Sequence, residues 1–397
     1  MQEGLVSCIL ILCLVSPCLC LKWSNFGVET EESTYNVLDY GTNGNGESDD
    51  SNAFLSAWND TCRSQGIANL VIPKGKVFML KNLELKGPCK ANSIHIQLFG
   101  NIVAPTKDEW VDDKKDLIII SNVNSLTIDG GGYIEGNGNT WWERCKDCTR
   151  PGVLRFSSCN DLSVSSLNLV NSPRFHIAIN NCKNARFFNM NINAPGNSPN
   201  TDAYDISNSK NVVFQDSTIA VGDDCIAING GCSYINATGI TCGPGHGISI
   251  GSLGKNKDYE TVEEVHVKNC TFKGTTNGAR IKTWEGGSGY VRNIIFEDII
   301  LIEAKNPIII DQHYGSKNAN IEVESLQISD VTFQNIEGTC ADERAIRLNC
   351  SSNGCHNLIL DQINIISSNP EKKAQAFCNN AYGKVKQVIP LVSCILE

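Results

Sequence analysis

The chain has 397 residues, 41% of them hydrophobic and 19% charged, so it can bury a large core and does not have the composition of a disordered protein. Its formal net charge of −10 argues against nucleic acid as a partner and gives no overall attraction to a polyanion. An acidic polymer could therefore bind only through cations placed locally in a site.

The N-terminal segment predicts secretion. Residues 5–21 form an apolar run that is short for a membrane span, and Ser16, Cys18 and Cys20 offer small residues for cleavage near its end. We expect a signal peptide over residues 1–20 and no membrane association after its removal. The segment has Glu3 and no Lys or Arg, which leaves a retained membrane anchor as the alternative.

A short helix is predicted near the start of the mature chain. Ser48 or Asp50 can cap it, and Gly66 can end it. Its apolar face would carry Phe54, Leu55, Trp58 and Cys62. We expect this helix to close one end of the structure that follows.

From about Val71 the sequence consists of short runs of alternating apolar and polar residues separated by Asn, Gly and Ser, which is typical of strands and turns. Residues 158–169, 181–192 and 208–219 align with one another at offsets of 23 and 27 residues. Propeller blades would be nearer to about 40 residues, and leucine-rich repeats would show fixed Leu and Asn positions that are missing. We therefore expect an all-β fold, a right-handed parallel β-helix that forms one domain over residues 21–397.

Acidic residues recur at the spacing of one repeat. Asp202 lies 21 residues before Asp223, Asp224 follows directly, and His246 lies 23 residues after Asp223. In a solenoid such positions stack and line one cleft. Cleavage of a glycosidic bond needs one protonated carboxyl group and one carboxylate that activates water, and repulsion among clustered carboxylates raises at least one pKa. Taken alone, an Asp pair after Gly222 would more often be a solvated turn.

Arg280 lies 34 residues after His246, with Lys282 two residues further on. On a strand these two side chains would point to one face, where Arg can bind a carboxylate with two hydrogen bonds and Lys adds a point charge. A single Arg-x-Lys is usually a surface pair, but beside the acidic positions it predicts a sugar that is itself acidic. No second histidine lies at ligand spacing from His246, so no metal site is expected.

Four short motifs stand in the order NTD (200–202), GDD (222–224), GHG (245–247) and RIK (280–282). They resemble the motifs of the polygalacturonases, the pectin-degrading enzymes of glycoside hydrolase family 28. The stretches GHGISIGSLG (245–254) and GARIKTWEGGSG (278–289) look most like plant members. One departure is Ala203, where many members have Gly.

The resemblance implies a role for each residue. Asp223 would donate the proton to the leaving oxygen, while Asp202 and Asp224 would hold and deprotonate the attacking water, so that the anomeric centre is inverted. His246 would orient the acid or hydrogen-bond the sugar, and no cofactor would be needed. The substrate-binding residues would be Asn200, Arg280, Lys282 and Tyr314.

The cysteines fit an oxidising compartment, because four of the 19 lie in the first twenty residues and 15 remain. No second CxxC lies at zinc-ribbon spacing from Cys145 and Cys148, so we expect a structural pair there. Sequons at four asparagines agree with a secreted glycoprotein: Asn59, Asn236, Asn269 and Asn349. The disulfides that the resemblance implies are Cys225–Cys242, Cys350–Cys355, Cys378–Cys394 and, as a weaker expectation, Cys62–Cys89.

These expectations describe a secreted, extracellular cell-wall enzyme that hydrolyses α-1,4 bonds in homogalacturonan, the de-esterified part of pectin, acts internally and works as a monomer. Exo-acting hydrolysis and rhamnogalacturonan cleavage are alternatives within the hydrolases. A pectate lyase would share the β-helix but would use calcium and an arginine base. A non-catalytic protein that binds wall polysaccharide is the third alternative.

Overall fold

Parallel strands provide almost all of the regular structure. The computed structural model describes residues 32–110, 112, 115–143, 149–316 and 323–396. The predicted signal peptide and the Cys145–Cys148 motif lie outside these residues. Glu31–Glu397 cluster as one compact unit, and the predicted boundary at residue 20 stays a prediction.

The strands of the first half are β1 (Glu32–Asn36), β2 (Asn45–Asp49), β3 (Ile67–Ile72), β4 (Val77–Met79), β5 (Leu83–Lys86), β6 (Ser93–Leu98), β7 (Asn101–Val103), β8 (Ile118–Ser121), β9 (Leu126–Asp129), β10 (Tyr133–Glu135), β11 (Leu154–Ser157), β12 (Asn160–Ser165), β13 (Asn168–Val170), β14 (Ile177–Asn180), β15 (Lys183–Phe188) and β16 (Asn191–Asn193).

Those of the second half are β17 (Tyr204–Ser207), β18 (Lys210–Gln215), β19 (Thr218–Ala220), β20 (Ile226–Ile228), β21 (Cys232–Thr238), β22 (Thr241–Cys242), β23 (Ile248–Leu253), β24 (Tyr259–Lys273), β25 (Asn277–Thr283), β26 (Ser288–Ala304), β27 (Asn306–Asp311), β28 (Gln327–Cys340), β29 (Arg344–Asn349), β30 (Cys355–Ser367), β31 (Gln375–Asn379) and β32 (Ala381–Ile389).

Helices are short and few in the described ranges. The α-helices are α1 (Ser51–Arg63) and α2 (Asn139–Trp142), and 3-10 turns span Val37–Tyr40, Lys107–Glu109 and Lys255–Lys257. In these ranges no helix is both long enough and apolar enough to cross a bilayer.

The described strands form two parallel sheets. The small sheet has eleven strands in the order β5, β8, β11, β14, β17, β20, β23, β25, β27, β29 and β31, and the other 21 strands form the large sheet. Each circuit of the chain, here called a coil, adds one strand to the small sheet. Asn160 pairs with Lys183 and Lys183 with Lys210, which are the repeat offsets read from the sequence. The predicted parallel β-helix is confirmed.

Asparagines turn the chain at corresponding corners of successive coils. Asn181 and Asn208 have φ values of 53° and 50°, in the left-handed region that Asn tolerates better than most residues. The Asn181 side chain also donates to Ser158 Oγ, one coil earlier, at 2.9 Å. The recurring Asn in the repeats thus both bends each coil and ties it to its neighbour.

The core is built from ladders of equivalent residues. One ladder on the small sheet, in register from coil to coil, consists of the fully buried Ile177, Tyr204, Ile226 and Ile248. On the large sheet Phe187 stacks on Phe214 with 5.7 Å between ring centroids. Full burial of one such side chain contributes about 1.5–3 kcal/mol, so each coil depends on its two neighbours for stability.

Helix α1 packs against β1, β3 and β5 at the N-terminal end of the sheets. Its buried residues are Phe54, Ala57, Trp58, Thr61 and Cys62. Leu55, predicted on the same face, is 39% exposed, because it lies about 100° around the helix from Phe54. Asp50 precedes the helix but does not cap it, since its carboxylate accepts hydrogen bonds from the N–H groups of Asn43 and Gly44.

The four disulfides implied by the resemblance are present: Cys62–Cys89, Cys225–Cys242, Cys350–Cys355 and Cys378–Cys394. Five other cysteines of the described residues are free and buried: Cys159, Cys182, Cys232, Cys270 and Cys340.

Candidate active site

The predicted acidic residues and His246 lie in turns that lead into the small sheet. Asp202, Asp224 and His246 each stand two residues before the first residue of β17, β20 and β23, respectively. Those first residues pair in register. The three site residues therefore follow one another from coil to coil, as their spacing predicted.

Gly222 allows Asp223 and Asp224 to enter the same cleft. Its N–H donates to Thr201 Oγ1 at 2.9 Å, and a Cβ at this position would lie 1.9 Å from the carbonyl oxygen of Ser198. A side chain is therefore excluded by the close approach of two turns. Gly222 does not have a positive φ, so its role is space and not a left-handed backbone.

Asp223 is held by two side chains and lies beside both other acids. Its Oδ1 is 2.8 Å from His246 Nδ1, and its Oδ2 accepts from Asn200 Nδ2 at 3.3 Å. The backbone N–H of Asp224 donates to Asp223 Oδ1 at 3.0 Å and to Asp202 Oδ1 at 3.1 Å. The backbone of Asp224 thus links the carboxyl groups of Asp202 and Asp223 in one hydrogen-bonded cluster.

Asp224 is the buried anion of this cluster. Its Oδ1 accepts from Arg280 Nη2 and from Ser249 Oγ, and its Oδ2 pairs with Lys282 Nζ at 2.8 Å. Asp224 is 1% exposed, Arg280 9% and Lys282 8%. The two cations expected to bind a substrate carboxylate are therefore already paired with a carboxylate of the protein, and a substrate would have to share them.

The cluster separates the pKa values of its acids. Burial raises the pKa of Asp202 well above its ordinary value, and the charges of Asp223 and Asp224 raise it further. Burial also acts to raise the pKa of Asp223, but the hydrogen bond and charge of His246, together with Lys282 and Arg280, outweigh it and hold that pKa below its ordinary value. The raised pKa expected for a clustered acid lies on Asp202, whereas the resemblance put the proton on Asp223.

Arg150 belongs to the site, although the sequence did not indicate it. This arginine is 6% exposed; its Nη2 donates to Asn200 Oδ1 at 2.7 Å, and its Nε donates to the carbonyl of Pro173 at 3.0 Å. Asn200, expected to bind substrate, thus links a buried cation to Asp223. No local motif marks a residue 50 positions away from Asn200.

Ser249 is the second residue that sequence reasoning missed. It pairs in register with Arg280, and its hydroxyl accepts from Arg280 Nε at 2.8 Å while donating to Asp224. Aligning the GHG and RIK coils by strand position would have shown this contact.

Tyr314, which the resemblance implies as a substrate-binding residue, lies beside Lys282. Lys282 Nζ is 5.3 Å from the centroid of its ring, and the ring meets Trp284 edge to face at 5.4 Å. Its half-buried ring thus supports Lys282 from the turn after β27.

A cation could be considered at Asp223, Asp224 and His246, whose ligand atoms lie within 4.8 Å of one another. Both oxygens of Asp224, however, already accept hydrogen bonds from Arg280, Lys282 or Ser249. The positive charges of Arg280 and Lys282 next to these atoms would repel a metal ion. The three residues therefore fit a network of hydrogen bonds and ion pairs better than a cation site.

Comparison with known proteins identifies similar sequences and folds. The model of the family described as Glycosyl hydrolases family 28 matches residues 62–387. Probable polygalacturonase At3g15720 of Arabidopsis thaliana is 45% identical over 373 residues, covering 92% of this chain and 81% of the relative. Polygalacturonase of Prunus persica is 39% identical over 372 residues, covering 91% and 93%. The endo-xylogalacturonan hydrolase structure from Aspergillus tubingensis superposes with a TM-score of 0.79 at 23% identity, over 92% of this chain and all of that one, and so shares the fold.

Proposed function

Because the chain belongs to glycosyl hydrolases family 28, we propose that it is a secreted polygalacturonase that hydrolyses α-1,4 bonds between galacturonate units of de-esterified pectin, without a cofactor. The observation that carries the proposal is one hydrogen-bonded cluster of three carboxyl groups, one histidine and two buried cations. The carboxyl groups supply acid and base, and the cations supply a site for an acidic sugar.

Asp223 is the proposed acid, in a pair with His246. A proton shared over the 2.8 Å between Asp223 Oδ1 and His246 Nδ1 can be placed on Asp223 when the leaving oxygen approaches. The lowered pKa of Asp223 makes its protonated form a strong donor. Asn200 keeps the other oxygen of Asp223 oriented.

Asp202 is the stronger of the two proposed bases. Its raised pKa makes its ionised form a better proton acceptor than an ordinary carboxylate, while both carboxylate oxygens of Asp224 are occupied by its three donors. The reactive form has the proton on Asp223 and the charge on Asp202, the reverse of the resting distribution. Since Asp202 and Asp223 interact and titrate as a pair, this form is a minor population of the free enzyme, and substrate binding selects it.

Direct attack by water held at Asp202 and Asp224 inverts the anomeric centre. No residue then forms a bond to the sugar. Proton NMR of early products checks this step: the β anomer should appear first and then mutarotate. Early α product would require a covalent intermediate and a nucleophile among the same acids.

Internal cleavage by a monomer acting in the cell wall completes the proposal. The apolar N-terminal run and the disulfides support secretion, and the likeness of residues 245–254 and 278–289 to plant members supports internal attack. Product sizes decide this point: internal cutting gives oligomers of many lengths at early times, whereas an exo enzyme releases only short products.

The experiment is to incubate the chain with polygalacturonate plus a metal chelator and to measure reducing ends and the ultraviolet absorbance of unsaturated products. We expect reducing ends alone, and a loss on the order of 100 to 10,000-fold in Asp223→Asn with the fold and polymer binding retained. Unsaturated products that disappear with the chelator would indicate a lyase. Polymer binding without any cleavage would indicate a wall-binding protein.

A further inference from the structure

The outward face of the small sheet continues past the site as a row with one side chain per coil. Arg280 pairs in register with Ile309, Ile309 with Arg347, and Arg347 with Phe377. Their strand neighbours, such as Ile308 and Ile346, are fully buried in the core, so alternation along each strand directs these four outward. We call Arg280, Ile309, Arg347 and Phe377 the outer row.

Arg347 is the one cation of this row that the described protein leaves unpaired. Its side chain has no hydrogen bond or ion pair among the described residues, whereas Arg280 pairs with Asp224, and Arg344, nearby on the same strand, pairs with Asp342. A guanidinium on an outward sheet face without a protein partner can give both of its forked donors to a ligand carboxylate.

Phe377 follows Arg347 on the next coil, which carries the last strand of the small sheet. It is 44% exposed, and the neighbouring Cys378 is tied to Cys394. An exposed aromatic ring fixed beside a free arginine can pack against the apolar face of a sugar whose carboxylate the arginine holds.

The coil between the two arginines has no cation in the outer row. It presents Ile309, which is 6% exposed, and Asp311 two residues further on. The Asp311 carboxylate accepts hydrogen bonds from Asn349 Nδ2 at 3.3 Å and from the His313 N–H at 3.2 Å. An apolar side chain and an acid do not attract a carboxylate, so a sugar at this coil can be neutral.

From these observations we propose that Arg347 and Phe377 form a second acidic-sugar subsite, two coils from the Arg280–Lys282 pair. Resting on the proposed function, this subsite would take a galacturonate of the same polymer chain that occupies the catalytic cleft. Strands lie about 4.8 Å apart, which places the two arginines about 10 Å apart, with room for an intervening unit that needs no free carboxylate. The outer row would therefore bind carboxylates on alternate coils, at Arg280 and Arg347.

The test compares Arg347→Gln with Arg186→Gln, a matched control on the large sheet. Arg186 is exposed and donates to Gln215 at 2.8 Å, away from the small sheet. We expect Arg347→Gln to weaken retention on polygalacturonate in affinity electrophoresis about tenfold, Arg347→Lys to recover part of it, and Arg186→Gln to bind like the unmodified chain. The melting temperature of Arg347→Gln should not change.

Kinetics on galacturonate oligomers of increasing length provide the second readout. Arg347→Gln should raise KM for long oligomers while leaving kcat and the shortest cleaved oligomers unchanged. Unchanged retention on polygalacturonate, or an equal loss at every length, would overturn the subsite. If neither the unmodified chain nor the variants release reducing ends, the proposed hydrolase function fails, while the retention measurement still decides the subsite.

Discussion

Asp224 combines two physical requirements in one residue. Its carboxylate stands next to the other acids, and it is also the anion that neutralises Arg280 and Lys282 in a nearly dry environment. A buried charge is tolerated only when it is paired, and removal of one partner leaves the others uncompensated. The site must therefore lose stability as well as activity when this network is broken.

Lys282→Met should reduce the free energy of unfolding by roughly 3 kcal/mol in addition to weakening cleavage. The sequence predicts Lys282 as a substrate contact, and its buried ion pair with Asp224 gives it a second role in stability. In a double-mutant cycle with Asp224→Asn, the stability losses should be strongly non-additive. Denaturant unfolding measures both, and the exposed Lys384→Met serves as control, with a change within about 0.5 kcal/mol. Additive losses would contradict the coupling.

Asp202→Asn should abolish turnover and raise the melting temperature at neutral pH. The folded chain raises the pKa of Asp202, so the native state favours the protonated form and loses stability relative to the unfolded chain as pH rises above the ordinary Asp value of about 3.9. Asn stays neutral and can keep the bond from the Asp224 N–H. The stabilisation should vanish below that pH.

Melting curves of Asp202→Asn and of the exposed Asp216→Asn between acid and neutral pH provide the measurement. As pH rises, the melting temperature of Asp202→Asn should increase relative to that of the unmodified chain, whereas that of Asp216→Asn should not. A gain that is the same at every pH would mean that the substitution acts through packing and not through the charge.

At the scale of single elements, the turns carry the acidic residues and His246, and the paired strands set the distance between successive turns. The turn of residues 194–203 approaches the turn of Gly222 so closely that a Cβ there would overlap the Ser198 carbonyl. This contact fixes the backbone positions from which the side chains of Asp223 and Asp224 project. A shift of about 1 Å in a catalytic group can cost on the order of 100-fold in rate.

Gly222→Ala should therefore lower kcat by at least about 100-fold and destabilise the chain by roughly 1–3 kcal/mol, because the two turns must separate. Gly196→Ala is the matched control. It lies in the facing turn and is exposed, and its added methyl would meet only side-chain atoms of Pro244 at 3.1 Å. Steady-state kinetics and melting temperatures compare the two variants. Equal activity in both would show that the close approach does not position the acids.

The elements also show what a sequence can reveal. Local patterns predicted the coil offsets and the stacking of Asp202, Asp224 and His246, because each depends on residues one coil apart, whereas the four disulfides were implied by the family resemblance. The local patterns did not predict Arg150 or the pairing of Asp224 with Arg280 and Lys282, which join residues 50 to 58 positions apart. Such contacts depend on how turns of unequal length fold over the sheet, and no periodicity encodes that.

At the scale of the whole molecule, the solenoid confines damage to the coils where it occurs. Each coil packs on its neighbours alone, so stability is close to a sum of neighbouring contacts. Two disulfides of similar loop length test this: Cys225–Cys242 spans 17 residues and adjoins Asp224, whereas Cys378–Cys394 spans 16 residues at the C-terminal end.

Replacement of either pair by alanines should cost about 3 kcal/mol, because the closed loops are nearly equal. Only loss of Cys225–Cys242 should abolish cleavage of short oligomers. Loss of Cys378–Cys394 should increase hydrogen exchange in β31 and β32 and leave that activity intact. Hydrogen exchange and oligomer kinetics on both variants measure the outcome, and loss of activity in both would show that the coils are coupled over long range.

The five buried free thiols make the order of folding and oxidation important for this chain. Cys159 and Cys182 occupy equivalent corners of adjacent coils, with the Cys159 backbone nitrogen 3.4 Å from Cys182 Sγ, while the four disulfides of the described residues join cysteines 5 to 27 residues apart. An oxidant that reaches the nascent chain before these coils close can join partners that the finished solenoid keeps apart. In an oxidising compartment, these five thiols therefore stay free only if their coils close before an oxidant reaches them.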